Sequence, residues 1–392
     1  MKLFRVISVR SDCGAKPPRL AQETLATYTT RLQKVQRWHL HRATLTALDA
    51  IAKEAAENES SEREAAVTFV TAPEFYWSAP WHALRNVCEV RELSALQIDP
   101  VRRCVAKVAA QFPPERYGKL LFLPGTAAML FETPRVDEAD PIDPTHETHA
   151  ASHRRHPVEP LFESLNYLYA VTNFLAPLAA HGPDADLPQA VAWPKRYTSW
   201  IDYGVHEREL ETPRTWTFRL GDGTRIEVLK QSDIGPQSHT QAHDNRVADM
   251  FDNRLGGVPP FGVDICLDFY KWMGDAHHAG GDFKAPHLDA PHYALDFVLS
   301  YGVDLDYHRF DVPRSLRYIV HNDGRRLKET AVLAIDERDG TWSWLPDAPA
   351  TRHLTLGERS HVSIHEFRLD VPDEATSSPE ALALHREPAT DR

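Results

Sequence analysis

A stretch without a single Gly or Pro, from Thr29 to about Glu57, separates two short apolar runs, and this spacing restricts what the chain can fold into. Within it Leu32, Val35, Leu40, Leu45, Leu48, Ile51 and Ala55 recur at near-helical spacing, which predicts a long amphipathic helix. The flanking runs, LFRVISV (3 to 9) and AAVTFVT (65 to 71), are short and rich in β-branched residues, as strands are. A second helix is expected from Ile98 to Ala110, and LLFLPGT (120 to 126) reads as a strand ended by Pro-Gly. Strand, helix, strand, helix, strand is an α/β opening. In such folds chemistry gathers where side chains leave the sheet at strand ends.

Residues 132 to 160, rich in Pro, acids and His, break this pattern as a loop or insertion. SLNYLYAVTNF (164 to 174) resumes as a strand, and Pro- and Ala-rich sequence follows to Trp193. TWTFRLGDGTRIEVLK (215 to 230) reads as two strands joined by an Asp-Gly turn. Its GDGT lacks the helix and the Lys-Ser/Thr ending of a phosphate cradle. A second polar insertion covers 231 to 260. FGVDICLDF and YALDFVLSYG (293 to 302) are strands, and 316 to 345 is a strand meander turning at NDG and RDG. With neither a repeat nor a linker, the reading is one elaborated domain over 1–371 and a polar tail over 372–392.

Composition narrows the partners. The 392 residues carry a net charge of -12 and no basic stripe, which argues against nucleic acid, since a polyanion needs a basic face. No run approaches the roughly 18 apolar residues of a membrane span, and MKLFRVISVRSDCG lacks the form of a signal peptide, so a cytoplasmic protein is expected. Cys13, Cys88, Cys104 and Cys266 show no CxxC spacing and read as free thiols. Two histidine-rich stretches, with His146, His149, His153 and His156 and then His277, His278, His287 and His292, have loop character. The first spaces its HETH histidines three apart, so no metal is expected.

Three reactive residue types end apolar runs or follow them: Glu74 in VTFVTAPEFYW, Lys195 in AVAWPKRYTSW and Cys266 in GVDICLDFYKW. Alone, each has a plain reading: an exposed acid, a solvated amine and a small core thiol. As a set they match one chemistry. A thiol needs a base to become a nucleophile, and the oxyanion it creates needs a fixed cation or donor.

The ordered motifs PEF, LPGT, PKRY and GVDICLDF, followed by ALDFVLS, resemble the nitrilase superfamily of carbon-nitrogen hydrolases over roughly residues 3 to 345. The resemblance implies an α/β four-layer α-β-β-α sandwich with two loop insertions, assembled as a homodimer or larger homo-oligomer, with no cofactor. It implies Cys266 as nucleophile, Glu74 as base, and Lys195 with the backbone N–H of Leu267 as oxyanion donors. A second Glu follows the Lys in that family; Glu207 is favoured here over Glu209, Glu211 and the closer Asp202. The aromatics Phe75, Tyr76, Trp77, Tyr270 and Trp272 either line a substrate pocket or pack a core or interface, and Asp268 either binds substrate or bonds backbone. The implied activity is cleavage of a non-peptide amide or carbamoyl-type bond in a small-molecule substrate. A nitrilase, an amide-forming acyltransferase and a non-catalytic scaffold of the same fold remain open. A Cys-His peptidase would leave Glu74 and Lys195 unexplained.

Overall fold

In the computed structural model, β1 (Lys2–Ser11), α1 (Leu25–Glu57) and β2 (Val67–Ala72) form the expected strand-helix-strand unit, with β1 and β2 paired in parallel. The structure describes residues 2–57, 65–133, 159–174, 187–188, 190–195, 208–212, 215–229, 261–269, 294–303, 316–325, 331–335, 342–344, 352–357 and 360–369. Helix α1 starts before Thr29 because Thr24 caps it, its Oγ1 accepting from Thr27 N at 3.1 Å. Helix α2 (Val87–Ala109) likewise starts well before Ile98. Asn86 accepts from Glu89 N at 3.0 Å, an Asn-x-x-Glu start, while Pro100 lies inside the helix, where a proline ordinarily argues for a boundary.

After a single turn, α3 (Pro114–Tyr117), the strand expected to end at Pro-Gly does so, and a further strand follows it directly. These are β3 (Leu120–Pro124) and β4 (Thr126–Glu132), hinged at Gly125. There follow β5 (Leu161–Thr172), β6 (Ala190–Pro194), β7 (Arg208–Glu211) and the hairpin of β8 (Thr215–Arg219) and β9 (Arg225–Leu229). In that hairpin's turn Asp222 Oδ1 accepts from Thr224 N at 2.8 Å, so GDGT serves as the expected reversal. A second sheet holds β10 (Gly262–Ile265), β11 (Leu295–Ser300), β12 (Tyr318–Asp323), β13 (Ala331–Ile335) and β14 (Trp342–Trp344), in that order. Its first three strands are parallel and the meander is antiparallel. Strands β15 (Arg352–Gly357) and β16 (Ser360–Leu369) return to the first sheet, whose order is β15-β16-β1-β2-β3-β5-β9-β8-β7, with β4 and β6 also on β5.

The period-two alternation of each strand assigns its faces. Ile7, Val9, Val70, Ala72, Phe122, Tyr167 and Tyr169 pack under Leu40, Ala43 and Leu48 of α1 and Val101, Val105 and Val108 of α2. The alternate residues Phe4, Val6, Phe69, Leu121, Leu168 and Ala170 meet Phe261, Val263, Ile265, Phe297, Leu299 and Val320 of the second sheet. Burial on both faces explains why these strands read as continuous apolar runs. The described architecture is mixed α/β in three layers, α-β-β, with a large mixed sheet and few helices. Among the described residues the helices pack on the first sheet, whereas a four-layer sandwich also needs helices on the second. No helix among them is long and apolar enough to cross a membrane. The stretches 134–158 and 231–260 and the tail 372–392 lie outside the described residues.

Candidate active site

Polar contacts between the sheets fix which strand ends coincide. Asn322 on β12 donates from Nδ2 to Thr71 Oγ1 at 3.0 Å and to Val9 O at 3.3 Å. In register, Thr71 lies beside Ser8 and Leu123, while Asn322 lies beside Leu299, which lies beside Ile265. Glu74 and Cys266 therefore leave their respective sheets at the same end of the sandwich. Strand β6 runs antiparallel to β5, which runs antiparallel to β3, so Lys195, following Pro194, emerges at that end too.

Glu74 sits in a corner that its neighbours hold tightly. Phe75 has φ 60, a left-handed conformation rare for an aromatic residue, and its N–H donates to Thr126 Oγ1 at 2.9 Å. Trp77 donates its backbone N–H to Thr126 O at 2.9 Å and its indole Nε1 to Pro124 O at 2.8 Å. The carbonyl of Tyr76 accepts from Lys16 Nζ at 2.6 Å and from Gln36 Nε2. Gly125 has to be glycine: at φ 77, a Cβ would lie 2.2 Å from Pro73 O and 2.6 Å from Tyr76 Cβ. PEF and LPGT are thus two halves of one corner.

Within it, Lys195 Nζ donates to Glu74 Oε1 at 2.7 Å, and both side chains are 0% exposed. Asn166 Nδ2 donates to the same oxygen at 3.1 Å, and Lys195 N donates to Asn166 O at 2.7 Å. Lys195 Nζ stands 5.9 Å from the centre of the Phe75 ring, against whose edge Tyr301 packs with centres 5.8 Å apart. In a buried pair of this kind each charge offsets the desolvation of the other, and removal of one partner is strongly destabilising.

Cys266 makes the second corner. Strand β10 stops at Ile265, and Cys266 has φ 53 with its N–H donating to Leu299 O at 2.9 Å. A helical turn, 267–269, follows, in which Phe269 N donates to Cys266 O at 3.2 Å. The strand does not continue, so Asp268 does not share a strand face with Cys266; it is buried within the helical turn. Phe75 and Cys266 are the two non-glycine residues with positive φ among those described. A sharp strand-to-helix turn of this kind pushes the residue at its apex out of the sheet.

Of the aromatics, Phe75 lies beside the Lys195 amine, whereas Tyr76 and Trp77 are buried in the core beneath α1. Tyr76 Oη donates to Gln36 O and bonds His39 Nδ1, each at 2.8 Å. Burial lowers His39 to about 4, which keeps that imidazole neutral. Glu207, Asp202, Tyr270, Trp272 and both histidine-rich stretches lie outside the described residues. Glu209 and Glu211 fall on β7, at the edge of the large sheet. The sequence reading missed Asn166 and Thr126; a lone asparagine inside the apolar run SLNYLYAV was the available signal for the first.

A different pair of acids lies near Cys266, on the face of the second sheet turned away from the first. Asp264 and Asp296 are both fully buried. Burial drives the Asp296 carboxyl up to about 7, opposed by its neighbour Asp264. Next along this face, Asp323 Oδ2 accepts from Ser300 Oγ at 2.7 Å, Gly302 N at 2.7 Å and Val303 N at 3.0 Å, which orders the turn after β11. Comparison of the chain with protein-family models, with curated proteins and with solved structures gives no match in any of the three.

Proposed function

We propose that this chain is a carbon-nitrogen hydrolase of nitrilase type, cleaving a non-peptide amide or carbamoyl-type bond through a thioester on Cys266. The observation that carries the reading is the fully buried Lys195–Glu74 contact at 2.7 Å, at the sandwich end from which Cys266 also emerges. A lysine and a glutamate with no solvent contact are costly to keep, and function is a physical reason for keeping them.

In the proposed cycle Glu74 takes the Cys266 thiol proton and the thiolate adds to the carbonyl carbon. Lys195 and the Leu267 N–H hold the resulting oxyanion. The C–N bond then breaks, its electron pair leaves with nitrogen, and Glu74 returns the proton to that nitrogen. A thioester remains. Water, deprotonated by Glu74, attacks it; the thiolate leaves and the acid is released. The fourth, helical layer and the homo-oligomeric assembly of the nitrilase superfamily belong to the same proposal.

The test is mass spectrometry of the intact protein mixed with panels of small primary amides, N-carbamoyl compounds and nitriles. A substrate should add its acyl mass to Cys266, and Glu74→Gln should slow release of that adduct. Cys266→Ala should abolish turnover, a loss of at least about 1,000-fold, with unchanged circular dichroism. Retained turnover in Cys266→Ala would sink the proposal. Product masses separate the neighbouring chemistries: a nitrile substrate releases acid and ammonia, and a transferase product carries a second nucleophile.

A further inference from the structure

The asparagine that joins Glu74 to Lys195 has bonding that fold requirements alone do not explain. Asn166 sits mid-strand on β5, on the face that Leu168 and Ala170 turn to the second sheet, where an apolar side chain would satisfy packing. It is fully buried, and its amide is half used: Nδ2 donates to Glu74 Oε1 at 3.1 Å, whereas Oδ1 has no hydrogen-bond partner among the described residues. Asn322 and Gln36 likewise leave their amide oxygens unpartnered among the described residues, but their N–H groups meet hydroxyl or main-chain oxygens, whereas that of Asn166 meets the Glu74 carboxylate. Its main chain is engaged as well, with the carbonyl accepting from Lys195 N at 2.7 Å.

We propose that Asn166 is a positioning residue for the catalytic pair: its side-chain N–H fixes the Glu74 carboxylate against the Lys195 amine, and its carbonyl fixes the Lys195 backbone. Two residues that are 121 apart in sequence thereby share one anchor. The lysine supplies charge and the amide supplies direction, since an ammonium rotates freely whereas a planar amide N–H points one way. The orphaned Oδ1 is left to accept an N–H or O–H from whatever enters beside Glu74. The inference rests on the hydrolase reading and deepens it.

The test reads Glu74 through Cys266. Wild type, Asn166→Ser, Asn166→Asp and Glu74→Gln are treated with iodoacetamide from pH 4 to pH 9, and carbamidomethylation of the Cys266 peptide is timed by mass spectrometry. In wild type the rate should fall on an acid limb as Glu74 protonates. Removing a donor to a carboxylate raises its pKa, so Asn166→Ser should move that limb up by about one pH unit. Asn166→Asp keeps the shape but puts a like charge beside Glu74, so its limb should lie higher still. A residue that only fills space gives no such order. Limbs in both Asn166 variants that coincide with wild type, while Glu74→Gln abolishes the limb, would overturn the inference and leave the hydrolase reading standing. A limb unchanged in Glu74→Gln would overturn both. Asn166→Asp, being isosteric, covers the case in which Asn166→Ser fails to fold.

Discussion

The corners that carry Glu74 and Cys266 each place a buried acid near a reactive group, and they neutralise that acid by opposite means. Glu74 meets a lysine at 2.7 Å. Asp296, on the strand next to Cys266's own, meets another acid, Asp264. In the first, an ammonium offsets the burial of the carboxyl group, an arrangement that suits a base. The second favours a neutral carboxyl, because burial penalises the ion and the neighbour supplies no positive charge. Burial of an acid therefore does not by itself mark a catalytic base.

Breaking the ion pair should have the largest effect. Lys195→Met takes the ammonium from beside the Glu74 carboxylate, and urea melts should show a loss of about 3–5 kcal/mol at pH 8, most of it recovered when Glu74→Gln is added. If the double variant recovers nothing, the two side chains do not act as a pair.

Asp296→Asn sharpens the other half. The folded-state value of Asp296, about 7, lies above its ordinary 3.8, so its stabilising contribution is full below about pH 4 and is lost as pH rises to about 7. Wild-type stability should therefore decline over that window, by on the order of 4 kcal/mol from this group, and Asp296→Asn should flatten the decline. Lys195→Met should not flatten it.

Gly125→Ala probes the clamp on Glu74. Its Cβ would press on the Pro73 carbonyl and on Tyr76 from a left-handed backbone, and a loss of about 2–3 kcal/mol is expected in the same melts. The smallest effect belongs to the other corner. Cys266→Gly should be more stable than Cys266→Ala by about 1 kcal/mol, since glycine adopts φ 53 without strain. A more stable alanine variant would mean that the left-handed turn is not what shapes the Cys266 corner.

Much of the first sheet was legible in sequence, because strands buried on both faces are apolar throughout and α1 has no internal breaker. The gaps have physical causes. Strand β16 pairs β1 across nearly the whole chain, Lys2 with Leu369, and no local pattern encodes a pairing that distant. Strand β4 went unread because Gly125 turns the chain straight into it without a loop. The first half of α2 was lost to Pro100. At the site, Glu74 and Lys195 were readable as reactive types after apolar runs, and the ion pair joins them. Asn166 was not readable that way, since a single amide in a strand announces neither its neighbour nor its direction. The end of β10 was not readable either, since GVDICLDF is apolar past Ile265 and only the left-handed backbone at Cys266 stops the strand before Asp268.

The central claim, that Cys266 is an activated nucleophile served by Glu74, is tested most directly by competitive thiol labelling. Cys88 is exposed, Cys104 is partly so, and burial pushes the Cys13 thiol up to about 12. With limiting iodoacetamide at pH 7, access alone would label Cys88 first. Buried Cys266 should be labelled at least about tenfold faster than Cys88, and Glu74→Gln should remove the advantage. Labelling of Cys88 ahead of Cys266, unchanged by Glu74→Gln, would contradict it.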